Sequence, residues 1–324
     1  MTRSEQLSGS PHLPVPARIR NSGRRGFASG LATAWIMVKI MVPTIVLVQI
    51  LRAAGILEIL SSAAAPFMKY FGLPGEAALA LITGAVVNIY ACIAVAVNIP
   101  MTAKSMTILA VMVLIAHNLI VETAVQSKAG TPAALMLAVR LSASWIAGLV
   151  FAAIIPDEGT FLNLAVSTQS PRGVGQVILS NAVSLAKIAI IIITLLLLTE
   201  ILREFGVMDR FMTALNRPMR VLGMDRKTSF IAAVGLVLGL TYGAGLIIDE
   251  AKKNPFTRRE ILATNVFLGT NHALIEDSLL FAVVGASLPW IVLGRLAFGS
   301  VYLRAVMPVI KRCVKDEPES IRLR

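Results

Sequence analysis

Two short polar segments interrupt long apolar runs and hold the residue types best suited to chemistry. "GTNHALIEDSL" at 269–279 places Asn271, His272, Glu276 and Asp277 within seven residues, and "IAHNLIVETAV" at 115–125 places His117, Asn118 and Glu122 together. On a helix His272 and Glu276 are four residues apart and share a face, as do Asn118 and Glu122. An ionisable group buried in hydrocarbon costs about 2.5–3.5 kcal/mol even on the lenient insertion scale, so it persists by facing a partner, water or a ligand. Two readings stay open. The polar groups form one joint binding site, or Glu122 or Glu276 neutralises Arg140 or Arg295 as a structural ion pair or gate. His117 alone reads first as a packing histidine.

The elements that carry these residues belong in a membrane. The chain has 324 residues, of which 56% are hydrophobic and 15% charged, and its mean hydropathy is +0.77. That is too little charge to cover a soluble domain of this size. Runs such as "LAKIAIIIITLLLLTEIL" (185–202) and "LATAWIMVKIMVPTIVLVQIL" (31–51) are long enough to cross a bilayer as helices. The first run follows Arg18, Arg20, Arg24 and Arg25 but is too long for a signal core, and it reads as an uncleaved first helix. Cys92 and Cys313 are far apart and imply neither a disulfide framework nor a thiolate metal site. His12 gets no role, and Lys39 and Lys187 snorkel near the ends of their spans. The net charge of +12 collects at membrane edges, which points to topology and excludes a nucleic-acid partner.

Five blocks recur in order along the chain. "QILRAAGILEIL" (49–60) matches "EILREFGVMDRF" (200–211), "PFMKYFGLPGE" (66–76) matches "PMRVLGMDRK" (218–227), and "NIYACIAVAV" (88–97) matches "LTYGAGLIID" (240–249). "HNLIVET" (117–123) pairs with "NHALIED" (271–277), and "VRLSASW" (139–145) with "GRLAFGS" (294–300), setting Arg140 beside Arg295. The domains expected are a basic cytoplasmic arm (1–30), repeat one (31–155), an extracytoplasmic linker (156–180), repeat two (181–310) and a cytoplasmic tail (311–324). Basic residues number five in the arm, six across 203–227, four across 252–259 and five in the tail, while the matching loops of repeat one are poor in them. Basic loops stay in the cytoplasm, so the second repeat is inverted relative to the first. Residues 227–250, with basic flanks on both sides, then form a re-entrant hairpin, as do 76–98. The expected fold is an all-α integral membrane protein of two inverted repeats. Each has three spans plus a hairpin: 31–53, 102–126 and 131–155, then 181–203, 258–283 and 287–310. Residues 56–71 and 207–222 read as short surface helices, and both termini lie inside.

Such an arrangement brings the polar segments to one centre, provided the helices break near the Asn–His pairs; otherwise Glu122 and Glu276 lie beyond mid-span. The hairpin tips near Tyr90 and Tyr242 close on it. No GxSxG, GxxxxGK[ST] or HExxH motif is present, so no enzyme is expected. "GLTYGAGLIIDEAKKN" (239–254) with "RREILATNVFLGTNHALIEDSLLFAVVGA" (258–286) resembles the nucleoside-recognition or Gate domain family. That family includes spore maturation proteins A and B. Its domain recurs in the membrane part of ferrous-iron transporters and, distantly, in concentrative nucleoside transporters. The resemblance implies paired hairpins and alternating access, with solute contacts at Asn88, Tyr90, Thr241, Tyr242, Glu122 and Glu276. The GTP-binding domain of the iron transporters has no counterpart here.

Three functions follow. The leading one is an inner-membrane (plasma-membrane) secondary transporter for a small polar, nucleoside-like solute, coupled to H+ or Na+ and needing no cofactor. Glu122, Glu276 and Asp277 would hold the cation. A divalent-metal permease is the alternative, with His117, Glu122, His272, Glu276 and Asp277 as the imidazole and carboxylate ligands that first-row metals favour. The third is a non-transport membrane partner or regulator. A homo-oligomer or an accessory membrane protein is compatible with each.

Overall fold

A computed structural model describes residues 14–156, 174–207, 226–251 and 256–313, together with isolated positions between 210 and 224. The described residues are helical, with no strand among them. Most of the linker, most of the surface helix expected at 207–222 and the end of the tail lie outside them.

The chain opens with α1 (Val15–Ala53), a single helix of 39 residues. At 1.5 Å per residue it runs about 58 Å, roughly twice a hydrocarbon core of about 30 Å. Residues 15–30, expected as part of a separate arm, are the first four turns of this helix. Its antiparallel partner is α8 (Val174–Glu204), which covers the span expected at 181–203 and starts seven residues earlier. Gly26 and Gly30 let the two backbones touch: a Cβ at either would lie within 3 Å of the Cα of Leu197 or Ile193. Small residues spaced by four are the usual means of close helix approach in lipid. At one end Arg18 and Arg25 bridge to Glu204 at 3.1 and 2.6 Å, and Arg25 also reaches Glu200 at 2.9 Å.

After α1 come α2 (Ile56–Met68), α3 (Ala77–Val86) and α4 (Ile89–Ala96). Helices α3 and α4 are each too short to cross a bilayer and fold against one another, with the Cys92 side chain close against Gly84. The chain breaks between them at Asn88, whose backbone is extended and whose Oδ1 accepts the Ala91 amide at 3.0 Å. Further on, α9 (Arg226–Leu238) and α10 (Leu240–Ala251) form a second such pair around Gly239 at φ 97. Gly235 and Gly243 face each other across it, and Leu268 fills the space their missing side chains leave. The two stretches expected as hairpins, 76–98 and 227–250, are therefore each a pair of short helices.

Among the described residues, five segments are long and apolar enough to cross a membrane: Val15–Leu51, Ala103–Lys128, Ala133–Ile154, Arg258–Val283 and Trp290–Ile310. The second and fourth are 61% buried against 28–39% for the others, which makes them the centre of the molecule. Neither is continuous. Ala103–Lys128 comprises α5 (Ala103–Ala116) and α6 (Leu119–Lys128); Arg258–Val283 comprises α11 (Arg258–Asn271) and α12 (Glu276–Val283). Helix α11 starts from a capping box, with the Thr257 side chain on the Glu260 amide and the Glu260 carboxylate on the Thr257 amide. The outer spans are α7 (Ala133–Ile154) and α13 (Arg295–Cys313), the latter preceded by a π-turn at Trp290–Gly294.

Candidate functional site

The site is built where the two inner spans break. His117 ends α5 with ψ 159 and His272 ends α11 with ψ 158; the next residues, Asn118 and Ala273, have φ 47 and φ 46. Each break is held from two sides. Behind it, the amide of Asn118 donates to Gly84 O at 2.9 Å, while those of Ala273 and Leu274 donate to Gly235 O at 3.4 Å and Leu236 O at 2.7 Å. The first helix of each hairpin thus accepts the amides released by a break. In front, a buried arginine takes up carbonyls that the broken helix leaves free. Arg140 donates to Ile115 O at 2.9 Å and His117 O at 2.7 Å, and Arg295 donates to His272 O at 2.9 Å. Both arginines are 0% exposed.

These roles shift the expected pairing of the halves by one residue. Alignment on glutamate set His117 beside Asn271 and Glu122 beside Glu276. The backbone instead equates His117 with His272 and Glu122 with Asp277, because each histidine caps its helix and lies 23 residues before the arginine that binds its carbonyl. Asn118 enters the left-handed region readily; Ala273 does so only because the surrounding hydrogen bonds impose it.

Four side chains meet between the breaks. The His117 and His272 Nε2 atoms are 3.4 Å apart, and Glu122 Oε1 lies 3.2 Å from each. Asp277 Oδ2 is 3.7 Å from His117 Nε2. Glu122 Oε2 forms an ion pair with an Arg140 terminal nitrogen at 2.7 Å. The imidazoles tilt by 35° with centroids 5.0 Å apart. On their far sides, His117 Nδ1 lies 3.2 Å from Val113 O and His272 Nδ1 2.8 Å from Leu268 O. A carbonyl only accepts, so each Nδ1 carries the hydrogen and each Nε2 of a neutral ring turns a lone pair inward. Arg140 Nη1 and Arg295 Nε and Nη1 are buried without a protein partner. The centre thus offers imidazole lone pairs, carboxylate oxygens and guanidinium donors within a few ångströms, a set able to hold a cation or a polar solute.

The other expected residues divide. Tyr90, on α4, is close enough to Glu276 and Asp277 to feel both charges. Glu276 is not among the clustered ligand atoms of His117, His272 and Asp277, and it feels the charge of Arg203. No Glu276–Arg295 ion pair of the kind considered from the sequence is formed; Arg295 feels the charges of Asp277 and Glu122. Asn88 spends its oxygen on capping α4. Asn271 donates to Phe267 O at 3.2 Å and Thr270 Oγ1 at 2.8 Å and presses on Gly299, where any Cβ would collide with its amide. The side chains of Thr241 and Tyr242 lie outside the described residues. One polar link went unread: Gln126 Nε2 donates to Asn265 O at 2.8 Å, and Asn265 Nδ2 donates to Thr131 Oγ1 at 2.7 Å, tying α6 to α11. The signal was spacing, since Gln126 follows Glu122 by one turn and Asn265 precedes His272 by two.

Broken inner spans packed against helical pairs, with ionisable side chains at the breaks, define a polytopic membrane protein organised around a buried polar centre. The chain belongs to the Gate (nucleoside recognition) family, whose model matches residues 34–155 and 185–293. It is 31% identical over 267 residues to the uncharacterized membrane protein YvoD of Bacillus subtilis (strain 168), covering 80% of this chain and 86% of that protein. No solved structure matches it.

Proposed function

We propose that the protein is a secondary transporter that moves a small polar solute by alternating access, with a cation held at the His–carboxylate centre. One observation carries this reading. The centre takes one histidine and one carboxylate from each of two broken helices, and each helix is braced by its own hairpin. A site shared in this way is made and unmade when the two units move relative to each other, which is how a transporter opens to one side at a time. The unpartnered guanidinium nitrogens support it, since a buried donor left unsatisfied costs about 1–3 kcal/mol unless water or a solute takes it up. A nucleoside-like solute would sit against Tyr90, beside the carboxylates. Family membership is in keeping with a role in membrane transport.

The proposed architecture is an inverted repeat in the cell's inner membrane with both termini inside. Two features support it: the basic loops, and the ion pairs that set the start of α1 at the same end as residues 200–204. A second reading, a non-transport membrane partner, draws support from the Arg140–Glu122 pair, which has the form of a structural bridge. Labelling separates the two. In a background lacking Cys92 and Cys313, Tyr90→Cys should react with an impermeant thiol reagent from either side of the membrane, the favoured side changing with bound ligand. Reaction from one side only under every condition contradicts alternating access.

A further inference from the structure

We propose that His117, His272 and Asp277, with Glu122 at a fourth corner, bind a divalent first-row transition-metal ion. The inference deepens the reading above by giving the cation of the transport centre a chemical class.

Hydrogen-bond direction is the first support. Both Nδ1 atoms face backbone carbonyls, so both Nε2 lone pairs point inward and face each other at 3.4 Å, with a carboxylate oxygen 3.2 Å from each. Three acceptors so close repel unless an electrophile lies among them. A histidine that donates Nδ1–H to a carbonyl and offers Nε2 is also the usual orientation of a metal ligand, its tautomer and ring plane fixed from behind.

Distance is the second support. Metal–nitrogen bonds of 2.0–2.1 Å in a tetrahedron put neighbouring ligand atoms about 3.3–3.4 Å apart. The two imidazole nitrogens are 3.4 Å apart, each is 3.2 Å from Glu122 Oε1, and Asp277 Oδ2 is 3.7 Å from His117. The ligand atoms of His117, His272 and Asp277 all lie within 4.8 Å of one another. Two imidazoles with carboxylates suit zinc, iron, cobalt or nickel and disfavour magnesium and calcium, which take oxygen ligands. Because the ligands come from both broken helices, the ion also bridges the units that alternating access must part.

The rival electrophile is a proton on an imidazole, and cobalt(II) discriminates. The full-length protein, stripped with a chelator and held in detergent, is titrated with Co2+ and followed by visible absorption. The expected result is one Co2+ per chain with the strong ligand-field bands of a four-coordinate site. Zn2+ should displace it and excess Mg2+ should not. His272→Ala and Asp277→Asn should each weaken binding at least tenfold. His272→Cys should restore it with a thiolate-to-cobalt charge-transfer band, which misfolding does not produce. Failure of the wild-type protein to take up stoichiometric cobalt, or uptake indifferent to both substitutions, overturns the proposal and leaves protons at the centre. The labelling experiment is independent of metal. Cobalt binding without alternating access keeps the site and removes the transporter; alternating access without cobalt binding does the reverse.

Discussion

At residue 118 the chain enters the left-handed region, and at residue 273 it does so again, once with an asparagine and once with an alanine. Only the first is a natural occupant. Asn118→Ala should therefore cost about 1 kcal/mol and Asn118→Gly little, whereas Ala273→Gly should raise the melting temperature, all read by thermal unfolding in detergent. A lower melting temperature for Ala273→Gly would mean that its methyl group packs better than the backbone conformation costs. In front of the first break, Arg140 serves three acceptors at once, the Glu122 carboxylate and the carbonyls of Ile115 and His117. Removing one partner of a buried ion pair costs about 3–5 kcal/mol because the other charge is left bare. Arg140→Leu should reach that range, and Arg140→Leu with Glu122→Leu should cost less than Arg140→Leu alone, measured by the same unfolding. The residue types at the centre were legible because ionisable groups are rare in apolar runs. The one-residue register was not, since identity drew Glu122 towards Glu276 while carbonyl capping, invisible in sequence, pairs it with Asp277.

Elements are placed by glycine and by burial. Helix α1 lies against α8 along contacts that only glycine at 26 and 30 permits. Gly30→Leu should cost about 1–3 kcal/mol by overpacking and should loosen the α1–α8 pair before the centre, which proteolysis followed with time would reveal. If α1 and the centre are lost together, the pair is not a separate unit. The hairpin at 227–250 was legible from the basic residues on both its flanks, and the one at 76–98 only as its counterpart in the other repeat. The start of α1 at Val15 was not, because basic residues marked the membrane edge and a helix is free to continue beyond it. Whether the inner spans broke near the Asn–His pairs was an open condition in the sequence. They break there because a hairpin backbone takes up the released amides and an arginine the released carbonyls, partners supplied from elsewhere in the chain.

For the whole molecule, the proposed inversion makes a directional prediction. Lys104 and Arg259 occupy matching places one residue inside the starts of α5 and α11. Lys104→Cys should label only from outside the cell and Arg259→Cys only from inside, and labelling from one common side would remove the inversion. Charge asymmetry is the ground for the proposed orientation, whereas no pattern in the sequence names a solute, because solute contacts arise from tertiary placement. The most direct test of the polar centre as a binding site is thermal unfolding in detergent against nucleosides, nucleobases and divalent cations. Wild type is compared with Glu122→Gln and Asp277→Asn. A ligand at about 100 times its dissociation constant should stabilise the wild type by roughly 2.7 kcal/mol. That shift should vanish in both variants. If no ligand moves the wild-type transition and the variants simply melt earlier, the cluster is a structural bridge and the protein is not a transporter working through it.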